Sequence, residues 1–144
     1  MKNLKKVLAL VLVVAMMASF AVSASAASFT DNDKIVYDNA VDLLSNLDVI
    51  NGFTDGSYNP EGNVTRAQTA KMIAYIMNGG SDASSTFAAS AKFSDVANGY
   101  WAANSIGYCA TKEIVAGAGN NLYYPNNDVT GVQLAKICLL YTSF

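Results

Sequence analysis

Histidine is absent from this 144-residue chain, and charged side chains make up only 14% of it. Without histidine, neither a Ser-His-Asp nor a Cys-His nucleophile can be built, and a histidine-ligated zinc site is excluded. The two cysteines have neither the number nor the spacing of a zinc site of their own. We therefore expect no catalytic residue, no metal and no cofactor, and the chain is not predicted to be an enzyme.

Apolar residues make up 52% of the chain, and their excess is concentrated at the N-terminus. Three lysines within residues 1–6 precede an uninterrupted apolar run over residues 7–18, and Ala24-Ser25-Ala26 follows. This order is typical of a secretory signal peptide, here residues 1–26. The alternative is a membrane anchor, but the run is shorter than the roughly 20 residues needed to span a bilayer. We expect cleavage, export and no membrane association afterwards.

Positive charge is scarce, and only one arginine is present. Removing residues 1–26 with their three lysines leaves six basic and eleven acidic residues, so the formal net charge changes from −2 to −5. A net-acidic exported chain without a basic run is a poor candidate for binding nucleic acid. Nucleic acid is therefore excluded as a partner.

One sequence unit occurs twice, at an offset of 64 residues that becomes 65 after one inserted residue. The matched segments are Phe29-Thr30-Asp31 with Phe93-Ser94-Asp95, Tyr58-x-Pro60 with Tyr123-x-Pro125, and Val64-Thr65-x-x-Gln68-x-Ala70-Lys71 with Val129-Thr130-x-x-Gln133-x-Ala135-Lys136. The units are predicted as residues 28–78 and 93–142. Residues 79–92 between them are rich in Gly, Ser and Ala and are predicted to form a flexible linker.

Each unit is predicted to be a helix, a loop and a second helix, which makes the fold all-α. An apolar stripe with helical spacing predicts the first helix, and Gly52 just beyond it suits a C-terminal cap. The stripe consists of Val36, Ala40, Leu43, Leu44 and Leu47, and its weaker counterpart of Trp101, Ser105, Tyr108, Cys109 and Lys112.

The second helix of each unit begins at a capping box. Thr65 and Gln68 have the required spacing, and Thr130 and Gln133 repeat it. Since one unit cannot bury both of its helices, we expect units to stack around a common core. The predicted interior positions of these helices are Ala67, Ala70, Ile73 and Met77, and in the second unit Val132, Ala135, Cys138 and Thr142.

This ordered set of motifs, present twice between Ser28 and Tyr141, resembles the S-layer homology repeat. The characteristic Thr-Arg-Ala-Glu stretch of that family corresponds to Thr65-Arg66-Ala67-Gln68 here. The resemblance implies a helical module in which typically three repeats form a pseudo-threefold bundle with binding grooves between them. Two repeats without a third would make only part of that bundle. The resemblance also implies attachment to a secondary cell-wall polysaccharide, often one bearing ketal-linked pyruvate.

Arg66, the only arginine, is predicted at the first position of its helix. A guanidinium beside unpaired backbone N–H groups, at the positive end of the helix dipole, suits a carboxylate or phosphate. The alternative is an exposed arginine that only aids solubility. Gly131 replaces the arginine in the second unit, so we expect a weak or inactive site there. The candidate ligand-binding residues are Arg66, Thr65, Gln68, Gly52 and Asp55.

Three aromatic residues have two interpretations each. Trp101 lies on the helix stripe, which favours packing in the core, although its ring could stack on a sugar. Tyr58 and Tyr123 recur at the same loop position and suit either packing or a binding groove.

Two further pairs are interpreted as structural. Asp31 and Asp95 are predicted to cap a short helical turn. Cys109 and Cys138 lie on apolar helix faces and are predicted to be small buried side chains. A disulfide between them is the alternative in an exported protein.

The function predicted from these features is non-catalytic anchoring to an anionic cell-wall polysaccharide, with the secreted chain held at the cell wall or S-layer. One alternative is that the chain is the N-terminal anchoring part of a longer cell-wall enzyme. Another is a structural protein that self-assembles into a surface layer, or into a homo-oligomer that replaces the missing repeat.

Overall fold

The computed structural model describes residues 28–89 and 92–141, and the predicted signal peptide lies outside them. Within the described residues the chain is all-α, with four α-helices and no β-strand. None of the helices in that part of the chain has the length and apolarity to span a bilayer. The helices are α1 (Asp38–Asn46) and α2 (Arg66–Met77) in the first sequence unit, repeat 1, and α3 (Ala103–Thr111) and α4 (Gly131–Tyr141) in the second, repeat 2.

Both predicted capping boxes are present. The Thr65 hydroxyl accepts a hydrogen bond from the Gln68 backbone N–H at 3.2 Å, and the Thr65 N–H donates to Gln68 Oε1 at 2.8 Å. Thr130 and Gln133 make the same two bonds at 3.1 and 3.2 Å. Each box satisfies backbone donors that a helix start would leave unpaired, so α2 and α4 begin where the sequence predicts.

The first helix of each repeat ends in a way that the sequence does not signal. Asp48, not Gly52, is the left-handed residue that closes α1, with φ of +56°. The N–H of the next residue, Val49, donates back to the Leu44 carbonyl, as in a Schellman motif. Glu113 closes α3 in the same way at φ of +59°. The prediction that Gly52 caps the helix is therefore wrong, because an aspartate takes the backbone conformation expected of glycine.

The core lies between α2 and α3. Three alanines of α2, Ala67, Ala70 and Ala74, are fully buried, and the small side chains let α3 pack closely against them. Ile106 and Cys109 of α3 are also completely buried. The predicted interior of α2 is confirmed, since Ile73 is buried and Met77 packs against the same cluster.

The apolar faces of α1 and α4 are exposed, contrary to prediction. Val36, Leu43 and Leu47 of the first stripe keep 82%, 60% and 55% of their surface in solvent. In α4, Val132 is 82% exposed and Ala135 is also exposed, while the predicted interior position Thr142 lies outside the described residues. The stripes were identified correctly as apolar, but a stripe is buried only where another helix covers it. The close helix packing in the described chain is between α2 and α3, whereas α4 buries Ile137 and leaves the predicted position Cys138 half-buried.

Trp101 is also outside the core. Its side chain is 57% exposed, so the prediction of core packing is wrong. The indole lies against the ring of Tyr100, with 5.6 Å between the ring centroids. Stacking on a sugar stays a prediction for this residue.

The segment between the repeats is packed where the structure describes it. Ala83 and Ala89 are buried, and a 3₁₀ turn at Ser85–Phe87 lies against α3. A Cβ at Gly107 of α3 would lie 1.5 Å from the Phe87 carbonyl oxygen, so only glycine allows this approach. Up to Ala89, then, the segment is part of the core and not the flexible linker that its composition predicts.

Cys109 is confirmed as a small buried side chain. It has no exposed surface, and burial raises the pKa of its thiol to about 12. Cys138 is half-buried, and neither cysteine is disulfide-bonded. The described residues therefore contain no disulfide between α3 and α4.

Candidate ligand-binding cleft

An aspartate holds the loop of each repeat in place. The two carboxylate oxygens of Asp31 accept the backbone N–H groups of Tyr58 and Asn59, each at 2.8 Å. Asp95 accepts those of Tyr123 and Tyr124 at 2.9 and 2.7 Å. The bond from Tyr58 is the main reason why the pKa of Asp31 is lowered. Asp31 is structural, as predicted, but it binds the loop and makes no capping hydrogen bond to the turn that follows it.

Arg66 of repeat 1 is anchored on the loop of repeat 2. Its Nε donates to the Tyr123 carbonyl at 2.8 Å and one terminal nitrogen to the Ala116 carbonyl at 2.9 Å. The guanidinium carbon lies 4.4 Å from the centre of the Tyr123 ring, a cation–π contact. The Tyr123 hydroxyl donates in return to the Arg66 carbonyl at 3.1 Å. Arg66 therefore joins the two repeats, a structural role that the sequence does not reveal.

The backbone N–H groups at the start of α2 are already paired. That of Arg66 donates to the Asn127 carbonyl and that of Ala67 to the Pro125 carbonyl, both at 2.9 Å. The Gln68 N–H is held by the capping box. The expectation of unpaired N–H groups beside the guanidinium is therefore wrong. Any anion there would depend on side-chain donors.

A cleft of about 210 Å³ opens beside the guanidinium, and we call it the arginine cleft. Lys136 and Gln133 line it from α4, and Glu113 lines it from the loop after α3, all three in repeat 2. Arg66 and Lys136 against Glu113 give the cleft a formal charge of +1. The guanidinium has five N–H donors, of which the bonds to Tyr123 and Ala116 use two. The remaining lining residues are Ile114, Val115, Ala116, Gly117, Ile137 and Leu140.

Repeat 1 has a corresponding cleft of about 270 Å³, the aspartate cleft, lined by Asp48, Val49, Asn51, Lys71, Tyr75 and Asp82. The first five of these residues are the 65-residue counterparts of arginine-cleft residues, and Lys71 corresponds to Lys136. Here Lys71 forms an ion pair with Asp82. One lysine against Asp48 and Asp82 gives this cleft a formal charge of −1.

Of the five predicted site residues, the structure places only Arg66 in the wall of the arginine cleft. Thr65 is occupied in the capping box, and Gln68 accepts its N–H there. Gly52, at φ of +67°, lies in the loop of repeat 1, where a Cβ would come within 2.5 Å of the Phe29 ring. The carboxylate of Asp55 accepts from the Ser57 hydroxyl and N–H at 2.7 and 3.0 Å, and the hydroxyl is the main cause of its lowered pKa.

One residue of the cleft, Lys136, is missing from the predicted site, and the structure decides between the two predicted roles of Tyr123, which lies against Arg66. Tyr123 is 1% exposed, and burial raises the pKa of its phenol, which the positive charge of Arg66 opposes. Its ring also packs on Phe93 at 5.1 Å, just as Tyr58 packs on Phe29 at 5.5 Å, so both tyrosines are packing residues. Lys136 could have been found, because the repeat aligns it with Lys71, three residues beyond the motif that contains Arg66. Among the described residues no group of acidic or cysteine side chains could hold a metal ion.

Comparison with known proteins identifies the two units. The family model of the S-layer homology domain matches residues 28–70 and 92–135. The chain belongs to the S-layer homology domain family. Both family matches begin three residues before the aspartate that holds the loop and end within α2 and α4, so they include Arg66 and Glu113 but stop one residue short of Lys136. The family model therefore confirms the resemblance drawn from the motifs.

Several curated proteins are similar to this chain. A cell surface protein of Thermoanaerobacter kivui is 30% identical over 147 residues, which covers 100% of this chain and 19% of that protein. The exoglucanase XynX of Acetivibrio thermocellus is 33% identical over 69% of the chain, and the match spans 9% of the enzyme. A cellulosome-anchoring protein of the same species is 27% identical over 61% of the chain and 20% of its own length. The chain thus spans a fifth or less of these relatives, and no solved structure matches it.

Proposed function

We propose that the arginine cleft binds an anionic group of a secondary cell-wall polysaccharide, and that the chain is an exported, non-catalytic anchor at the cell wall. The observation that carries the proposal is the meeting of the only arginine with Lys136 in one cleft of net positive charge. Family membership and the relatives named as cell-surface and cellulosome-anchoring proteins support it. A pyruvate ketal, whose carboxylate is held on a sugar ring, fits this pair of cations by chemistry.

The physical basis is a fork of donors and a point charge that line the same cleft. The two backbone carbonyls fix the guanidinium in place, so a ligand would not have to order that long side chain on binding. Lys136 supplies a second cation from α4. A carboxylate between them gains charge-assisted hydrogen bonds from both, and an uncharged sugar does not. Binding should accordingly weaken as salt is raised.

Lys136→Met is the sharpest test, because Lys136 is exposed and its loss should leave the fold intact. We expect cosedimentation with purified cell walls to weaken by about tenfold, which corresponds to about 1.4 kcal/mol. Lys34→Met, at an exposed lysine far from the cleft in sequence, is the matched control and should bind like the wild type. Walls treated to remove pyruvate ketals should release the wild type. Equal binding of both variants and the wild type would contradict the proposal.

Self-association is a second candidate function, and a different observation favours it. In the described chain α2 packs on α3, and Ala67 of α2 and Tyr108 of α3 are both buried in the core cluster. Their 65-residue counterparts, Val132 on α4 and Leu43 on α1, are 82% and 60% exposed. A second copy could place its α1 on α4 in the way that α3 lies on α2. A pseudo-threefold bundle would instead need one further repeat between these same two faces.

The contact between copies would be heterologous, which allows a decisive mixing experiment. Val132→Glu breaks the face on α4, and Leu43→Glu breaks the face on α1. We expect the wild type to form assemblies by light scattering, each variant alone to be monomeric, and a mixture of the two to form a 1:1 dimer through the intact faces. A monomeric wild type at high concentration would exclude self-association of the chain. The third hypothesis, anchoring of a longer cell-wall enzyme, stays a prediction.

A further inference from the structure

We propose that the aspartate cleft of repeat 1 is a second carboxylate-binding site that the chain closes with its own Asp82. The proposal rests on the function proposed above, because it takes the arginine cleft as the working form of the same site. It predicts that the chain binds one anionic group and holds a second site in reserve.

The two clefts share most of their parts, although the aspartate cleft has no counterpart of the Arg66 guanidinium. Asp48, Val49 and Lys71 take the places of Glu113, Ile114 and Lys136, each at the 65-residue offset. Asp48 and Glu113 also share the left-handed conformation that closes the preceding helix. Because the two lysines correspond, a ligand carboxylate could pair with Lys71 as with Lys136, and in repeat 1 the Asp82 carboxylate already pairs with Lys71.

Asp82 comes from the segment between the repeats, not from the repeated unit. Its carboxylate pairs with the Lys71 ammonium, while the side chain stays 69% exposed. Asn78 fixes the backbone there by donating to the Asp82 carbonyl at 3.1 Å. The Asp82 side chain therefore contacts Lys71 as an external carboxylate would, and it is tethered close by at high effective concentration.

The charge in each cleft agrees with this assignment. With Asp82 the aspartate cleft has a formal charge of −1, and without it the charge is zero. Replacing Asp48 as well gives +1, the charge of the arginine cleft. Asparagine is suitable at both positions, because it keeps the shape of aspartate and tolerates the left-handed conformation of residue 48.

The test is to titrate the chain with a methyl hexoside that carries a 4,6-linked pyruvate ketal and to count the binding sites per chain. The methyl ester of the ketal carboxylate is the uncharged control. Lysine side-chain NMR signals, assigned by Lys71→Met and Lys136→Met, report on each cleft separately. In the wild type we expect only the Lys136 signal to shift. In Asp82→Asn, and more strongly in Asp48→Asn/Asp82→Asn, the Lys71 signal should also shift in a saturable way. Calorimetry should then give two sites per chain instead of one.

Glu61→Gln is the matched control, because it removes one exposed carboxylate outside either cleft. It should leave the number of binding sites at one per chain. Adding Lys71→Met to the Asp48→Asn/Asp82→Asn variant should return the number of sites from two to one. A Lys71 signal that stays unmoved in the double variant, with the Lys136 signal shifting normally, would overturn the closed site but not the arginine cleft. Loss of the Lys136 response in the wild type would instead contradict the function proposed for the arginine cleft. A Lys71 shift already in the wild type would show that Asp82 does not close the site.

Discussion

Repeats 1 and 2 share their local geometry and differ in what surrounds them. Asp31 and Asp95 hold the same loop, and the left-handed conformation of Asn59 recurs at Tyr124, both at φ of +57°. Yet the first helix of repeat 2 is almost wholly buried, whereas that of repeat 1 buries only Val41. Local contacts thus shape each repeat, and packing against other elements, here of α3 on α2 and on the 3₁₀ turn, decides which faces become core.

The clearest difference between the repeats is Arg66 in repeat 1 against Gly131 in repeat 2. We expect the largest effect on stability from substituting Arg66. Arg66→Ala removes two charge-assisted hydrogen bonds and the contact with Tyr123, so we expect a loss of about 3 kcal/mol in unfolding free energy. Gly131→Arg should cost nothing, since no atom lies within 4 Å of a Cβ there. Denaturant unfolding measures both. An Arg66→Ala chain as stable as the wild type would show that the arginine does not join the repeats.

Gly107→Ala tests why the second repeat is packed and the first is not. The added Cβ would meet the Phe87 carbonyl, and overpacking of this kind costs about 2 kcal/mol. The substitution should therefore lower the melting temperature and raise proteolysis between residues 83 and 89. The position corresponds to Asp42 in repeat 1, and Asp42→Ala should change the melting temperature little. If the two variants melt alike, the segment between the repeats does not depend on its contact with α3.

Asp31 should make the loop of repeat 1 sensitive to acid. Its pKa is lowered in the folded chain, chiefly by the bond from the Tyr58 N–H, so the folded state favours the ionised form. This contribution is present above the ordinary value of 3.8 and is lost as the pH falls through the lowered folded value. The urea midpoint of the wild type should decline there more steeply than that of Asp31→Asn. Parallel pH profiles would show that the loop does not depend on this charge.

The smallest expected effect is a gain in stability, at the left-handed residue Glu113. Glu113→Gly relieves a left-handed residue that carries a side chain, and should stabilise the chain by about 1 kcal/mol. It also removes the only carboxylate in the wall of the arginine cleft, so binding of the pyruvate ketal should tighten. Asp48→Gly should give a similar gain in stability without tightening binding in the arginine cleft. Calorimetry of both variants separates the two consequences.

The sequence alone predicted a hydrogen bond where both of its partners lie a few residues apart in the chain. The Thr65–Gln68 box spans three residues, so its spacing predicts both of its bonds. The acceptors of Arg66 lie 50 and 57 residues away and are backbone carbonyls, which any residue type would supply. Burial is also hard to predict from the sequence, because the stripe through Leu43 is apolar whether or not a helix covers it. The left-handed conformation of Asp48 could not be predicted either, because only the observed backbone shows it.

The reciprocal bonds between Arg66 and Tyr123 have a mechanical consequence for an anchor. The Arg66 backbone starts a helix of repeat 1, while its side chain is fixed to the loop of repeat 2. A polymer held by the guanidinium would pull on both units at once, so a tensile force would be shared between them. Detachment would then depend on how fast the contact between the repeats yields under tension, and single-molecule pulling could measure that rate.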